Sequence, residues 1–348
     1  MARGHPLLFR GPPGYVPAGR AEAGMIYRNL GKTGINVSRF CLGTLTMGPL
    51  QARLDLDEGA DLIRLALDSG VNFLDTAEDY ATYPYIRRAV GCRDTGIVIA
   101  SRCYAHTAGA MRSSLERALR ETGRDAIDLF GLHEQESGET IRGHWDAIEY
   151  LLKARQEGKI RALYVSTHFV RVVKAVSMIP EIDAVFPLIN MTGTGIRDGS
   201  QEDMISAIRQ AHAAGKGVWA MKALAGGHLS GRSLAALAFV RDIPEVDAVA
   251  IGASSAAEIE FNALVLSGKT PPPSLEKSVS SAGRHMFIEP WCRGCGKCVA
   301  ACRSGALSVS GGRASVDRSR CILCSYCAAA CEEFCIKMAA GGKPGKTK

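Results

Sequence analysis

No stretch of about eighteen uninterrupted apolar residues occurs in this 348-residue chain, so nothing in it reads as a bilayer-spanning helix. A secretory signal is also lacking, since the first positive charges precede no apolar core of signal-peptide length. Charge of one sign does not dominate: the formal net charge is +7, and Lys and Arg are dispersed apart from short patches at each end. That argues against nucleic-acid binding. No Gly-x-Gly-x-x-Gly fingerprint follows the first strand, because Gly193-Thr194-Gly195 lacks a third glycine at the right offset, and a doubly wound open sheet is disfavoured. Disulfides are not expected either. Cys41, Cys92 and Cys103 stand singly in a chain without an export signal, which implies a reducing cytoplasm.

What is present divides into two parts. The 47% apolar content is enough for a sizeable core, and cysteine density rises abruptly after about residue 285. Residues 1–24, with four prolines, five glycines and no apolar period, are expected to be a flexible arm, which makes Met25 a candidate start. A main domain over 25–270 follows. The three prolines at 271–273 open an expected linker over 271–285, before a small domain at 286–338 and a flexible tail at 339–348.

The small domain holds Cys292, Cys295, Cys298 and Cys302, then Cys321, Cys324, Cys327 and Cys331, so the run C-x2-C-x2-C-x3-C occurs twice. Three thiolates in a short loop grip three irons of one cubane, and the offset fourth completes the other. Cys292, Cys295, Cys298 and Cys331 are expected to hold one 4Fe-4S cluster, and Cys321, Cys324, Cys327 and Cys302 the second. Structural zinc is the alternative, although zinc prefers two pairs of ligands to a triplet with an offset fourth. Cys335, a ninth cysteine of the module, reads as a spare buried thiol. The segment resembles bacterial-type two-cluster ferredoxins. It departs from them in having Arg303 and Glu332 where a proline usually follows the fourth cysteine.

The main domain alternates short β-branched runs with amphipathic stretches. Strands are expected at 37–42, 71–74, 96–101, 127–132, 162–166, 184–188, 217–221 and 248–251. Helices are expected at 56–68, 110–121, 141–156, 202–214 and 256–266. Eight βα units laid in sequence specify an α/β fold, a (β/α)8 TIM barrel, followed by the small α+β ferredoxin-like module. Chemistry in such a barrel sits past the C-terminal strand ends, where Asp75, Tyr80, Arg102, His133, Thr167 and His168 fall.

The order Tyr27-Arg28-Asn29-Leu30-Gly31-Lys32-Thr33-Gly34, Leu42-Gly43-Thr44, Asp75-Thr76-Ala77-x-x-Tyr80, His133 and Asn262 resembles the aldo-keto reductase superfamily. The resemblance implies that Tyr80 is a general acid toward a carbonyl oxygen, that His133 orients that carbonyl, and that Asp75 holds the cation beside the tyrosine. The superfamily's lysine is replaced by Arg102, which carries a charge but cannot relay a proton as lysine can. The same resemblance implies NADP(H), or NAD(H), over the barrel mouth. Ser166 and Asn190 match nicotinamide contacts, Thr167 stands where asparagine is usual, and Asn262 matches the adenine contact. Gly252, Ser254 and Ser255 precede a helix whose N-terminus attracts phosphate, with helix capping as the plainer role of the two serines. Lys222 reads as a cation for substrate or cofactor phosphate, or as a solvated charge. The loop 191–200 is either a lid or a plain connection.

The expected function is an oxidoreductase transferring hydride between NADP(H) and a small carbonyl or alcohol, with two 4Fe-4S clusters carrying electrons to it or to an external redox partner protein. The alternative is a nucleotide-binding electron-transfer or redox-sensing protein with a non-catalytic barrel. No nucleic acid or membrane partner is expected.

Overall fold

A computed structural model describes residues 24–91, 96–281, 284–302, 304–321 and 326–340. The expected ligand Cys324, together with Cys92, Arg303, residues 1–23 of the expected arm and 341–348 of the expected tail, lies outside the described residues.

Strands β1 (Tyr27–Asn29) and β2 (Asn36–Ser38) form an antiparallel hairpin. Eight parallel strands follow: β3 (Phe40–Gly43), β4 (Phe73–Asp75), β5 (Val98–Cys103), β6 (Ile127–Leu132), β7 (Ile160–Thr167), β8 (Ala184–Pro187), β9 (Gly217–Ala220) and β10 (Ala248–Gly252). They close in sequence order, with β10 pairing back onto β3, so the expected barrel is the fold. Leu30, Ile35 and Val37 of the hairpin are fully buried and plug its N-terminal end.

Side-chain alternation decides what fills the interior. Phe73, Tyr164, Phe186 and Trp219 point inward as one aromatic cluster, the rings of Phe186 and Trp219 stacking at 4.7 Å. Gly131 leaves room for them. A Cβ there would lie 2.1 Å from the Tyr164 carbonyl oxygen and 2.8 Å from its ring. Two residues further along their strands, Asp75 follows Phe73 and Arg102 follows Ala100, so the inward face turns from apolar to charged at the C-terminal mouth.

Three expectations need correction. The first strand, expected at 37–42, is broken at Arg39, whose guanidinium reaches the carbonyls of Val246 and Arg241 and turns the chain from hairpin to barrel. The single helix expected at 141–156 is two, Gly138–Gly143 and Trp145–Gln156. Ser137 and Thr140 form a capping box for the first, and the His144 ring meets the Thr140 carbonyl at 2.7 Å where the two join. The expected linker 271–285 contains a helix, Pro273–Ser281, started by a proline at its first position, and Leu275 and Val279 pack it on the barrel core.

The small module pairs β11 (Arg284–Ile288) with β14 (Ile336–Ala340), and β12 (Leu307–Ser310) with β13 (Arg313–Val316). Its first and last strands therefore reach beyond 286–338 on both sides, and residues 339–340 of the expected tail belong to β14. Met286, Ile288, Leu307, Ala314 and Ile336 form a small core with Cys298 and Cys327.

The module does not hang from a tether. Phe334, with a left-handed φ of 50°, is 2% exposed and belongs to the barrel's interior cluster, edge-on to His168 at 5.8 Å. His228 hydrogen-bonds the Ile336 carbonyl at 3.0 Å, and Arg197 faces Glu333 at 3.6 Å. Gly227 lies so close to Met338 that a Cβ would come within 2.1 Å of its carbonyl oxygen. Truncating Phe334 to alanine is expected to cost about 3–5 kcal/mol, as for other buried aromatics. Denaturant unfolding of the intact protein measures this; a loss below about 1 kcal/mol would show that the ring does not anchor the two modules.

Candidate active site at the barrel mouth

The loop after β4 is fixed by threonines. Thr82 Oγ1 lies 2.7 Å from Thr44 Oγ1 and 2.8 Å from Thr76 Oγ1, and Thr44 Oγ1 donates to the Asp75 carbonyl at 3.1 Å. With this network holding its base, the chain makes one 3-10 turn, Glu78–Tyr80, and reverses at Ala81 with φ 54°. The turn brings Tyr80 back over the strand end that carries Asp75.

Arg102 joins the two. Its Nη1 donates to Asp75 Oδ1 at 2.6 Å and to the Thr76 carbonyl at 3.0 Å, while Nη2 donates to Tyr80 Oη at 2.7 Å and to Asp75 Oδ2 at 3.3 Å. The guanidinium also lies 5.0 Å from the Phe186 ring centroid. Asp75 is 4% and Arg102 2% exposed, so the pair is an ion pair out of water. Burial opposes the charge on Arg102, but Asp75 and Tyr80 beside it hold the guanidinium protonated well above its usual range. Burial likewise pushes the Asp75 carboxyl up, against the pull of Arg102. For Tyr80, burial outweighs the attraction of Arg102 and the phenol is pushed up to about 12.

His133 stands past the end of β6, 6% exposed, stacked on Tyr104 at 4.4 Å and edge-on to Tyr80 at 6.0 Å. Burial, helped by the Arg102 charge, lowers it to about 3, so the ring is neutral at ordinary pH. Among the described residues its Nδ1 has no hydrogen-bond partner.

Asp75, Tyr80 and Arg102 line one cavity of about 190 Å3 together with Lys222, Gly252, Ser254 and Asn262. Seven of the residues singled out in the sequence therefore meet there. Four other expected cofactor contacts are placed outside the cavity wall, because local backbone groups claim their side chains. Ser166 Oγ accepts the Glu134 amide at 2.9 Å, and Thr167 Oγ1 donates to the Gln135 carbonyl at 2.7 Å. Asn190 accepts from the amides of Thr192 and Thr194 and donates to the Thr194 carbonyl at 2.8 Å, tying down the loop 191–200. Ser255 caps helix Ala256–Leu266. The amide and hydroxyl of Ser254 both donate to Glu258 Oε2, at 2.7 and 3.0 Å, so a carboxylate of the chain takes the donors expected for a phosphate.

In the small module, Cys292, Cys295, Cys298 and Cys331 surround a second, smaller cavity, with Cys335 beside them and 3.4 Å from the Cys331 sulfur. The Ala314 amide points at Cys292 Sγ at 3.4 Å, and the Ala306 amide at Cys302 Sγ at 3.2 Å. Amides aimed at sulfur suit thiolates that carry charge. Among the described residues no three His, Cys, Asp or Glu side chains approach closely enough to hold a single metal ion; the four sulfurs stand around a space instead. The donor set and the cavity fit a cluster of irons.

Sequence reasoning missed Phe334, Lys337 and Met338, the last two of which line the barrel cavity. A signal was available. Three residues after the fourth cysteine the first repeat has Gly305 and the second Phe334, a large apolar side chain that the module's own core does not take in.

Residues 39–235 match the aldo/keto reductase family and residues 286–332 a 4Fe-4S dicluster domain. The chain is 29% identical over 160 residues to the 6-dehydroglucose reductase of Novosphingobium aromaticivorans, a match that covers 40% of this chain and 51% of that protein. It is 25% identical over 151 residues to the L-galactose dehydrogenase of Arabidopsis thaliana, covering 40% and 47%. The matches thus span about half the length of these curated relatives. A crystal structure from Pseudomonas aeruginosa, assigned as an aldo-keto reductase, superposes with a TM-score of 0.61 at 26% identity over 70% of this chain and 95% of that one. With the closed barrel and the Asp75–Arg102–Tyr80 contact in place, the chain belongs to the aldo/keto reductase family and carries a 4Fe-4S dicluster domain docked on its barrel.

Proposed function

We propose that the protein is an oxidoreductase acting on a small carbonyl or alcohol with NADP(H), Tyr80 being the proton donor, and that its second module holds two 4Fe-4S clusters for electron transfer. The observation that supports this most is the buried chain from Asp75 through Arg102 to Tyr80, which opens into the same cavity as Lys222, Gly252, Ser254 and Asn262. Lys222, Gly252 and Asn262 would hold the dinucleotide, Ser254 joining them by giving up its bonds to Glu258. Cys292, Cys295, Cys298 and Cys331 would hold one cluster, and Cys302, Cys321, Cys324 and Cys327 the other. Bound there, the nicotinamide supplies a hydride and the clusters single electrons.

The residues themselves account for the proton. Because Arg102 Nη2 donates to the Tyr80 oxygen, the phenol's own hydrogen is left to point toward a substrate carbonyl. Arg102 remains charged throughout and stabilises negative charge that develops on the phenol oxygen. Asp75 holds the guanidinium in place. His133, neutral and packed between Tyr80 and Tyr104, is suited to orient a carbonyl rather than to carry a charge. Sugar-like carbonyls belong in the first substrate panel, since two relatives are by name a 6-dehydroglucose reductase and an L-galactose dehydrogenase. A second reading, electron transfer or redox sensing with a silent barrel, draws support from Lys337 and Met338, which carry the module into the cavity wall.

Replacing Tyr80 by phenylalanine separates the two readings. Reduction of aldehydes by NADPH should fall by about 100-fold or more while dinucleotide affinity is kept; an unchanged rate ends the acid role. Since Tyr80 titrates near 12, the reductive reaction needs its protonated form and should stay flat through neutral pH, falling only as pH nears that value. Alcohol oxidation needs the phenolate and should rise with pH over the same span. A single step near pH 6.5 in both directions would point to a histidine instead. For the module, anaerobically purified protein should contain about eight irons and an equal amount of sulfide per chain. Colourless protein with about two zincs removes the cluster reading.

A further inference from the structure

The cavity at the barrel mouth is walled by two lysines from different modules. Lys222 ends the segment after β9 with a left-handed φ of 62°, a strained conformation for a non-glycine residue, and its side chain lines the mouth. Lys337 comes from β14 of the iron–sulfur module and is 4% exposed. Both ammonium groups are drawn to one aromatic ring: Lys337 Nζ lies 3.3 Å and Lys222 Nζ 5.8 Å from the centroid of Phe334. Lys337 also donates to the Phe334 carbonyl.

Their neighbours among the described residues leave both side chains without a direct carboxylate contact. Of the carboxylates that line the cavity, Asp75 is committed to Arg102, and Glu258 to the amide and hydroxyl of Ser254. Glu134 and Glu289 support the charge of both lysines from outside the cavity wall, yet among the described residues neither lysine is in an ion pair. Burial opposes the charge on both, and the Lys222 charge further opposes that on Lys337 across the shared ring. Two partly desolvated cations on one ring, with no carboxylate on them, form an arrangement that an anion relieves.

We propose that Lys222 of the barrel and Lys337 of the iron–sulfur module form one anion seat on the cavity wall, complete only while the modules are docked. The seat takes anionic oxygen, either from a phosphate of the bound dinucleotide or from the carboxylate of an acidic carbonyl substrate. This rests on reading the cavity as the nucleotide and carbonyl site. Its consequence is that a side chain of the electron-transfer module touches what the barrel binds.

The test uses the anaerobic, cluster-loaded full chain as wild type, Lys337→Met and Lys337→Arg, with three readouts: affinity for inorganic pyrophosphate, affinity for NADPH, and the ratio of the KM for para-carboxybenzaldehyde to that for benzaldehyde. Lys337→Met should weaken pyrophosphate binding about tenfold or more, the scale of one lost charged hydrogen bond, and Lys337→Arg should bring it back to within about threefold. If the dinucleotide is the source, the NADPH affinity falls with it and the KM ratio holds; if the substrate is, the ratio shifts and NADPH affinity holds. Pyrophosphate affinity equal in wild type and Lys337→Met overturns the seat. So does a loss that arginine fails to restore, because it marks a structural lysine. Should wild type neither bind NADPH nor reduce either aldehyde, the proposed function fails while the pyrophosphate titration still decides the seat.

Discussion

The interaction on which the site depends is the ion pair of Arg102 with Asp75. Neither group is within reach of bulk water, so each is tolerable only because the other is there. The geometry adds to the Coulomb term. One guanidinium spans the carboxylate, the Thr76 carbonyl and the Tyr80 hydroxyl, and its flat face meets Phe186. A lysine at this position would present a point charge and three rotatable donors, with no plane to lay against the ring. The arginine therefore ties strand β5, the end of β4 and the tyrosine turn into one rigid unit, at the cost of proton-relay chemistry. Whatever the pocket binds meets a phenol whose orientation is set from behind.

A second constraint comes from the far end of the chain. The segment from Cys331 to Met338 passes from the cysteine-lined cavity of the small module to the barrel cavity in seven residues. Glu332 pairs with Lys297 inside the module, Glu333 faces Arg197 of the barrel, Phe334 enters the barrel interior, and Lys337 reaches the cavity. Movement of one module against the other would have to expose Phe334, and few single contacts resist that more than a buried aromatic ring. Gly195, Gly226 and Gly227 leave the space this segment occupies, since a Cβ on any of them would meet Phe334, Lys337 or Met338 at 3.0 Å or less.

Much of this was legible along the chain, for identifiable reasons. The barrel strands announced themselves because each is a short, largely buried apolar run, and the bounds of helices Leu56–Asp68 and Ala256–Leu266 coincide with their apolar periods. Where the reading slipped, one side chain had overridden the local pattern. Arg39 breaks a run that looks continuous, His144 divides what reads as one helix, and three prolines taken for a stiff tether begin a helix instead. Asp75, Tyr80 and Arg102 could be placed together because Asp75 and Arg102 fall at strand ends on the barrel's C-terminal face and the resemblance to aldo-keto reductases links them to Tyr80. Asn190 could not be weighed in that way. Its amide is claimed by the turn at Thr192 and Thr194, a competition between local hydrogen bonds and ligand contact that residue identity alone does not reveal. Phe334 left only the mismatch with Gly305 between the two repeats as a signal, since nothing in a cluster motif says what its outward residues pack against.

The two chemistries proposed for this chain count electrons differently. A hydride carries two together, whereas a cubane exchanges one, so a direct exchange between them needs a group that can hold a single electron between steps. The docking contact makes a separate demand. Electron transfer through the Cys331–Met338 segment requires nearness and packing, which Phe334 supplies irrespective of its chemistry beyond size. The proposed anion seat requires charge, which would reside in Lys337 and be indifferent to the oxidation state of any iron. On the proposed reading the two requirements fall on different side chains of one short segment, with Phe334 for proximity and Lys337 for recognition.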